Sequence, residues 1–395
     1  MKTKRFALIS VILLYFVICL EILIMISPFA GFFYAAFNPV LLKLADSPAT
    51  RWLTAFFLPH MAIPATALLI GLRVLGSWFF LGGMALFFLC AIQIYTAKFL
   101  RRGAVSGGLY RFIRHPQYLA LAIAGLGLAI LWPRFLVVVL WCLMVLIYFF
   151  LARDEERRMV REHGAGYRSY LEKTGMFLPK SVERFLLPHG TSGRIILWLA
   201  VCVVALGGAW GLRAYTIHHL TMRQEGNVTA LAILPEDGFK LDHRLKDLLA
   251  LPEISSRLQP GARYLAYFLP QNYIMQGLIA DTGGDWRLYK QHHAISMITD
   301  WILHPFRHLR EGHHAMHHNG GHQPGMSPEN GIIRRLIFLQ LTPAPADDAP
   351  YSSLNINQER VPVFTADVDV HTAGLLEVRD LPETTGWGTV PTPTF

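Results

Sequence analysis

Apolar residues fall in long uninterrupted runs over the first 215 positions and in short alternating runs after them. The run from Phe6 to Phe33 follows Lys2, Lys4 and Arg5. It is too long for a signal peptide and lacks a clean small-residue cleavage site, so the pattern predicts an uncleaved spanning helix. An apolar stretch from Trp52 to Leu72 is broken by Pro59, His60 and Pro64, and only Arg73 separates it from a second run ending at Ala97. This reads as a re-entrant or interfacial segment followed by one long span. A hairpin comes next, with arms Pro116–Leu131 and Phe135–Ala152 turning at Trp132, Pro133 and Arg134; a last apolar helix is expected from Ile195 to Leu212.

After Tyr215 the periodicity changes. Strand-like runs occur at Val228–Leu234, Ile332–Leu341 and Val361–Val370, with helices and a Gly- and His-rich loop near Gly320 between them and an irregular tail from Pro382. The expected fold class is therefore a polytopic α-helical membrane domain of five or six spans over residues 1–215, joined to a soluble α+β domain over residues 216–395.

Composition agrees: 53% of the 395 residues are apolar and only 16% charged, against about 25% for an ordinary soluble domain. The net charge of +9 is concentrated in two places. Lys98, Arg101, Arg102, Arg111 and Arg114 form one basic loop, and the stretch from Arg153 to Arg194 carries nine Lys and Arg. Positive charge of this kind marks cytoplasmic loops of an inner or plasma membrane and implies no nucleic acid. The N-terminus is then cytoplasmic and the C-terminal domain extracytoplasmic. All four cysteines (Cys19, Cys90, Cys142, Cys202) lie in apolar segments, so there is neither a disulfide framework nor a CxxC zinc pattern.

Two blocks flank the hairpin on one membrane face: GGLYRFIRHPQY from Gly107 to Tyr118, and LARDEERRMVREHGAGYRSYLEKTGMFLP from Leu151 to Pro179. Pro116 suits the first position of a helix and biases His115 towards extended backbone, so that helix end presents free amides. Asp154, Glu155 and Glu156 crowd the exit of the second arm, where they suit hydroxyls or an amine of a bound molecule as well as a solvated helix face laced with arginine.

In order and spacing these blocks resemble the isoprenylcysteine carboxyl methyltransferases and their phospholipid and thiol methyltransferase relatives, over about residues 75–179. The resemblance implies methyl transfer from S-adenosylmethionine in a membrane-embedded pocket, to a lipid-like, thiol or carboxylate acceptor. It implies that Tyr110, Arg114, His115 and Tyr118 line the cofactor, with Arg114 and His115 as the catalytic pair. Glu155 and Glu156 would hold the cofactor, and Tyr167 and Tyr170 would close the pocket. Ala120 stands where the family often has glycine; Gly125 and Gly127 still allow close helix contact or cofactor approach. The competing class is a catalytically silent membrane scaffold or assembly subunit whose soluble domain binds a metal or a partner protein. Membrane lipid and a lipophilic or small-molecule acceptor are the expected partners.

Nine of the 17 histidines lie between His292 and His322. His304 with His308, His313 with His317 and His314 with His318 are each four apart, a spacing that lets imidazoles on one helix face share a zinc or copper ion. Pro305 and Gly312 interrupt any single long helix through them.

Overall fold

The computed structural model describes residues 40–59, 61–62, 66–100, 105, 107–188, 190–271, 273, 279–280, 333–345 and 349–382. Residues 40–46 are helical, and the helices that follow are α1 (Arg51–Thr54), α2 (Ala67–Phe99), α3 (Pro116–Leu131), α4 (Phe135–Lys173), α5 (Lys180–Leu186), α6 (Thr191–His218), α7 (Gly238–Leu249) and α8 (Pro252–Ser255). The strands are β1 (Met222–Glu225), β2 (Val228–Ala232), β3 (Arg263–Pro270), β4 (Ile333–Thr342), β5 (Glu359–Asp369) and β6 (Gly374–Asp380). Two compact units result: one contains residues 67–213, and the other contains residues 214–395 with the described residues before Ala67.

In the helical unit, α2, α4 and α6 are each long and apolar enough to cross a membrane. Their outward side chains, such as Trp78, Ile92, Val203 and Val204, are exposed, as lipid-facing residues of an integral membrane protein are. The 16 residues of α3 extend about 24 Å, short of a hydrocarbon core of about 30 Å. The turn that follows is packed in protein, with Trp132 and Arg134 buried. Glycine sets the contact between α2 and α3. A Cβ on Gly127 would lie 2.3 Å from the Phe80 nitrogen, and one on Gly83 would lie 2.6 Å from the Ala124 nitrogen. Small residues therefore let the two backbones touch, as is usual where no hydrophobic effect drives helices together. Gly127 thus serves helix contact, while Gly125 faces Met144 and Trp141 on α4.

The stretch read as re-entrant divides at Ala67. Before it, α1 has only four residues and the chain turns extended at Ala55. Phe56, Phe57 and Leu58 are buried. Tyr273 Oη donates to the Met61 carbonyl at 2.9 Å, and Arg51 Nη1 donates to the Asn357 carbonyl at 3.4 Å. The apolar character of this stretch thus belongs to the protein interior of the unit that holds the sheet, not to a lipid-facing segment, although the sequence pattern assigns it to the membrane domain.

That sheet has six strands in the order β1 to β6. Only β2 and β3 run parallel; the other neighbours are antiparallel. The parallel pair needs a crossover, supplied by α7 and α8. Leu241, Leu245 and Leu248 form one stripe of α7 and pack with Ala266, Phe268, Leu336, Phe338 and Phe364 on one face of the sheet. Leu265, Tyr267, Leu269, Ile337 and Leu339 point to the other face and are equally buried. With both faces covered, β3 and β4 read as continuous apolar runs, so the short run at β3 was open to a helical reading from pattern alone. Adjacent Arg334 and Arg335 each meet a buried acid bidentately: Arg334 pairs with Asp237 at 2.8 and 2.9 Å, and Arg335 with Asp367 at 2.6 and 2.7 Å.

Candidate functional site

The block from Gly107 to Tyr118 opens with a 3-10 turn at Gly108–Arg111. Gly108 has φ of 59°, in the left-handed region open to glycine. Gln93 on α2 fixes the turn by donating to the Gly107 carbonyl at 2.7 Å. The turn buries Tyr110, whose Oη donates to Gln117 Oε1 at 3.1 Å. Pro116 then begins α3, and His115 before it adopts φ −127° and ψ 58°, outside the helix. The imidazole is therefore set at the mouth of α3 and not along its side.

The second block is the polar half of α4, beyond the apolar part that ends at Ala152. Gly164, with φ 58° and ψ −129°, breaks the helix and redirects the chain towards the first block. Tyr170 Oη donates to the Tyr110 carbonyl, and Arg114 Nη1 donates to the carbonyls of Leu171, at 3.2 Å, and Thr174. A short parallel bridge completes the clip: the Arg114 amide donates to the Gly175 carbonyl at 2.9 Å and the His115 amide to that of Met176 at 3.0 Å. Residue 175 must be glycine, since a Cβ there would lie 1.8 Å from the Leu178 carbonyl oxygen. Glu183 on α5 secures the far end, accepting from the Met176 amide and, at 2.7 Å, from Arg194.

His115 sits between two carboxylates. Its Nε2 is 3.3 Å from Glu156 Oε1 and its Nδ1 is 3.5 Å from Glu155 Oε2. Tyr118 Oη donates to Glu155 Oε2 at 3.4 Å, and Arg114 Nε to Glu156 Oε1 at 2.6 Å. The rings form a ladder: His115 stacks on Tyr118 with centroids 5.5 Å apart, and Tyr118 on Tyr148 at 5.1 Å. The Tyr167 and Tyr170 rings, tilted by 51° with centroids 5.6 Å apart, lie near Arg114 and Glu156.

The two acids differ in environment. Burial pushes the Glu156 carboxyl up, but the hydrogen bond with His115 and the Arg114 charge outweigh it and hold the group below the usual carboxylate range. Glu155 has a side chain 40% exposed and makes only long contacts. Burial raises the phenols of Tyr110 and Tyr167, which stay neutral donors. His115 Nδ1 is buried without a hydrogen-bond partner among the described residues, next to the accessible Glu155.

All eight residues expected from the two blocks thus come together. Tyr148, Gln93, Gln117, Thr174 and Gly175 join them, and none is part of the expected site. Only Tyr148 has a visible signal, as a hydroxyl-bearing ring two helical turns before Glu155 in an aliphatic run. His304, His308, His313, His314, His317 and His318 lie outside the described residues, among which no group of three His, Cys, Asp or Glu side chains is placed to hold a metal.

Residues 66–165 match the phospholipid methyltransferase family model. The resemblance carried by the two blocks is therefore borne out: this stretch of the helical unit is similar to the membrane methyltransferases of that family. The match covers α2, α3 and α4 as far as the kink, with Tyr110, Arg114, His115, Tyr118, Glu155 and Glu156; Tyr167, Tyr170 and Gly175 follow it. No curated protein and no solved structure matches the chain.

Proposed function

We propose that the helical unit transfers a methyl group from S-adenosylmethionine to a lipid-like, thiol or carboxylate acceptor at the membrane. The observation that carries this reading is the placement of His115 between Glu155 and Glu156, with Nδ1, which makes no hydrogen bond among the described residues, 3.5 Å from the more accessible acid. The residues suit a cationic ligand: Glu155 has a side chain 40% exposed and is held only by long contacts, so its negative charge is accessible to one. S-adenosylmethionine, when bound, supplies an already activated methyl on a positively charged sulfur, so no metal is needed for the transfer.

In this reading Glu155, His115 and Tyr118 contact the cofactor. Arg114 and Glu156 neutralise each other and act as positioning residues, tying the first block to the chain beyond Gly164. Tyr110, Tyr167 and Tyr170 close the rear of the site and exclude water, which keeps it from competing with the acceptor for the methyl group. Alignment of donor and acceptor supplies the rest of the rate, since the leaving group needs no further activation. The N-terminus is assigned to the cytoplasm and the C-terminal unit to the opposite side. The histidine pairs between His304 and His318 carry a separate assignment, a bound zinc or copper ion.

Calorimetry of the purified full chain with S-adenosylmethionine tests the main reading. We expect stoichiometric binding in the wild type and at least about a tenfold loss of affinity in His115→Ala and in Glu155→Ala. Absence of heat in the folded wild type would overturn it and favour a silent scaffold.

A further inference from the structure

The residues of α5 sort by side. Val182, Phe185 and Leu186 are spaced to share one face of the helix and are all exposed, Phe185 by 87% and Leu186 by 56%. Arg184, two positions from both Val182 and Leu186, lies opposite them and is also exposed. Glu183 is the buried residue of the helix and faces the protein. It accepts from the Met176 amide and, at 2.7 Å, from Arg194 in the first turn of α6. That ion pair puts α5 at the level where the spanning length of α6 begins. Four residues link the two helices, and a Cβ on Gly193 would lie 2.8 Å from Pro188, so the link is folded against α6.

We propose that α5 lies in the plane of the bilayer interface, with Val182, Phe185 and Leu186 among the acyl chains and Arg184 in water, and that this seat holds the Gly175–Met176 bridge against His115. Continuity with a lipid-facing surface decides the occupant: α6, to which Glu183 ties the helix, is exposed along its apolar length at Ile196, Leu199 and Val203. A short helix with apolar residues on one side and a basic residue on the other suits the boundary between acyl chains and headgroups. The contact is with the bilayer as a solvent and selects no headgroup. From α5 two hydrogen bonds lead to the site: Glu183 accepts from the Met176 amide, and the Met176 carbonyl accepts from the His115 amide at 3.0 Å. Phe177, next in the chain, has its ring centroid 6.1 Å from that of His115. Movement of α5 off the membrane would therefore loosen the backbone that sets the imidazole.

Photocross-linking of the full chain in dioleoylphosphatidylcholine nanodiscs tests the seat, with benzoylphenylalanine in place of Phe185, of Arg184 or, as the reference, of Val203 on the exposed side of α6. We expect acyl-chain adducts at position 185 comparable with those at 203 and at least about tenfold above those at 184. Labelling at 185 no higher than at 184, or adducts to protein in place of lipid at 185, would overturn the proposal. Hydrogen–deuterium exchange in the same nanodiscs tests the coupling. Phe185→Ser combined with Leu186→Ser should speed exchange of the Arg114 and His115 amides at least about tenfold, and Phe185→Leu should leave the wild-type rate. Strands β3 and β4 should exchange alike in all three proteins. Unchanged exchange at Arg114 and His115 in the double variant, or faster exchange spread equally to β3 and β4, would overturn the coupling. Neither measurement contains S-adenosylmethionine or an acceptor, so failure of the methyl-transfer reading leaves both results intact.

Discussion

Arg114 and Glu156, 42 residues apart in the chain, are joined by a hydrogen bond of 2.6 Å that closes the two blocks of the site on each other. The same guanidinium reaches the carbonyls of Leu171 and Thr174, so one side chain ties the mouth of α3 to both halves of the kinked α4. The Glu156 carboxyl is held below its ordinary value of 4.5, and this gives the pair a pH signature. A depressed folded-state value means that stability is fully present above pH 4.5 and lost as the pH falls through the folded value. Glu156→Gln should lower the thermal midpoint of the detergent-solubilised protein at pH 7, with the gap to wild type narrowing below pH 4.5. A gap that stays constant down to low pH would show that the carboxylate charge is not what the pair contributes.

Gly127 lets α3 touch α2, and a methyl group there would lie 2.3 Å from the Phe80 nitrogen and 2.6 Å from the Gly76 carbonyl oxygen. Gly127→Ala should destabilise the helical unit by about 1–3 kcal/mol. Gly71→Ala, with no atom within 4 Å of the added carbon, serves as the control and should be neutral or stabilising. Thermal scans of the two variants side by side decide the matter.

Asp237 is wholly buried and accepts from Arg334 twice and from Lys240 once, at 2.8 Å. Asp237→Ala removes the bidentate partner of a buried arginine and should cost about 3–5 kcal/mol. Limited proteolysis of the full chain over a temperature series should show the sheet domain cleaved at a lower temperature. Asp242→Asn, which breaks an exposed pair with Arg223, should leave the profile almost unchanged.

The proposed orientation rests on the positions of the basic loops. Ser256 is exposed at the end of α8 and lies in the cysteine-free C-terminal part, so Ser256→Cys in a background lacking Cys19, Cys90, Cys142 and Cys202 gives one reporter thiol. An impermeant maleimide should label it in intact cells. Labelling only after lysis would reverse the topology.

Protein purified without a His tag or nickel column should carry zinc or copper by elemental analysis. The content should fall in His314→Ala combined with His318→Ala. Sub-stoichiometric metal that the double variant leaves unchanged would identify the histidines as solvated.

The sequence by itself determined the apolar helices between residues 67 and 218 and the two blocks of the site, while the run from Phe6 to Phe33 lies outside the described residues. Those features are local: a spanning helix needs only its own apolar length, Pro116 presets the start of α3, and the acids at Glu155 and Glu156 follow the end of a span whatever surrounds them. The β4 and β5 runs were legible for the same reason, with boundaries shifted by one or two residues. What only the tertiary structure decided are the pairings between distant residues. The apolar stretch at Phe56–Leu58 looks like membrane by composition, because a protein core and a lipid tail select the same side chains; its hydrogen bonds to Tyr273 and Asn357 place it with the sheet. Arg114 reads as a ligand contact in the motif, yet it is tied to Glu156 and to backbone carbonyls beyond a kink at Gly164 that the chain forms only when folded. Gly175 enters the site by close backbone approach, which leaves no periodic mark on a sequence.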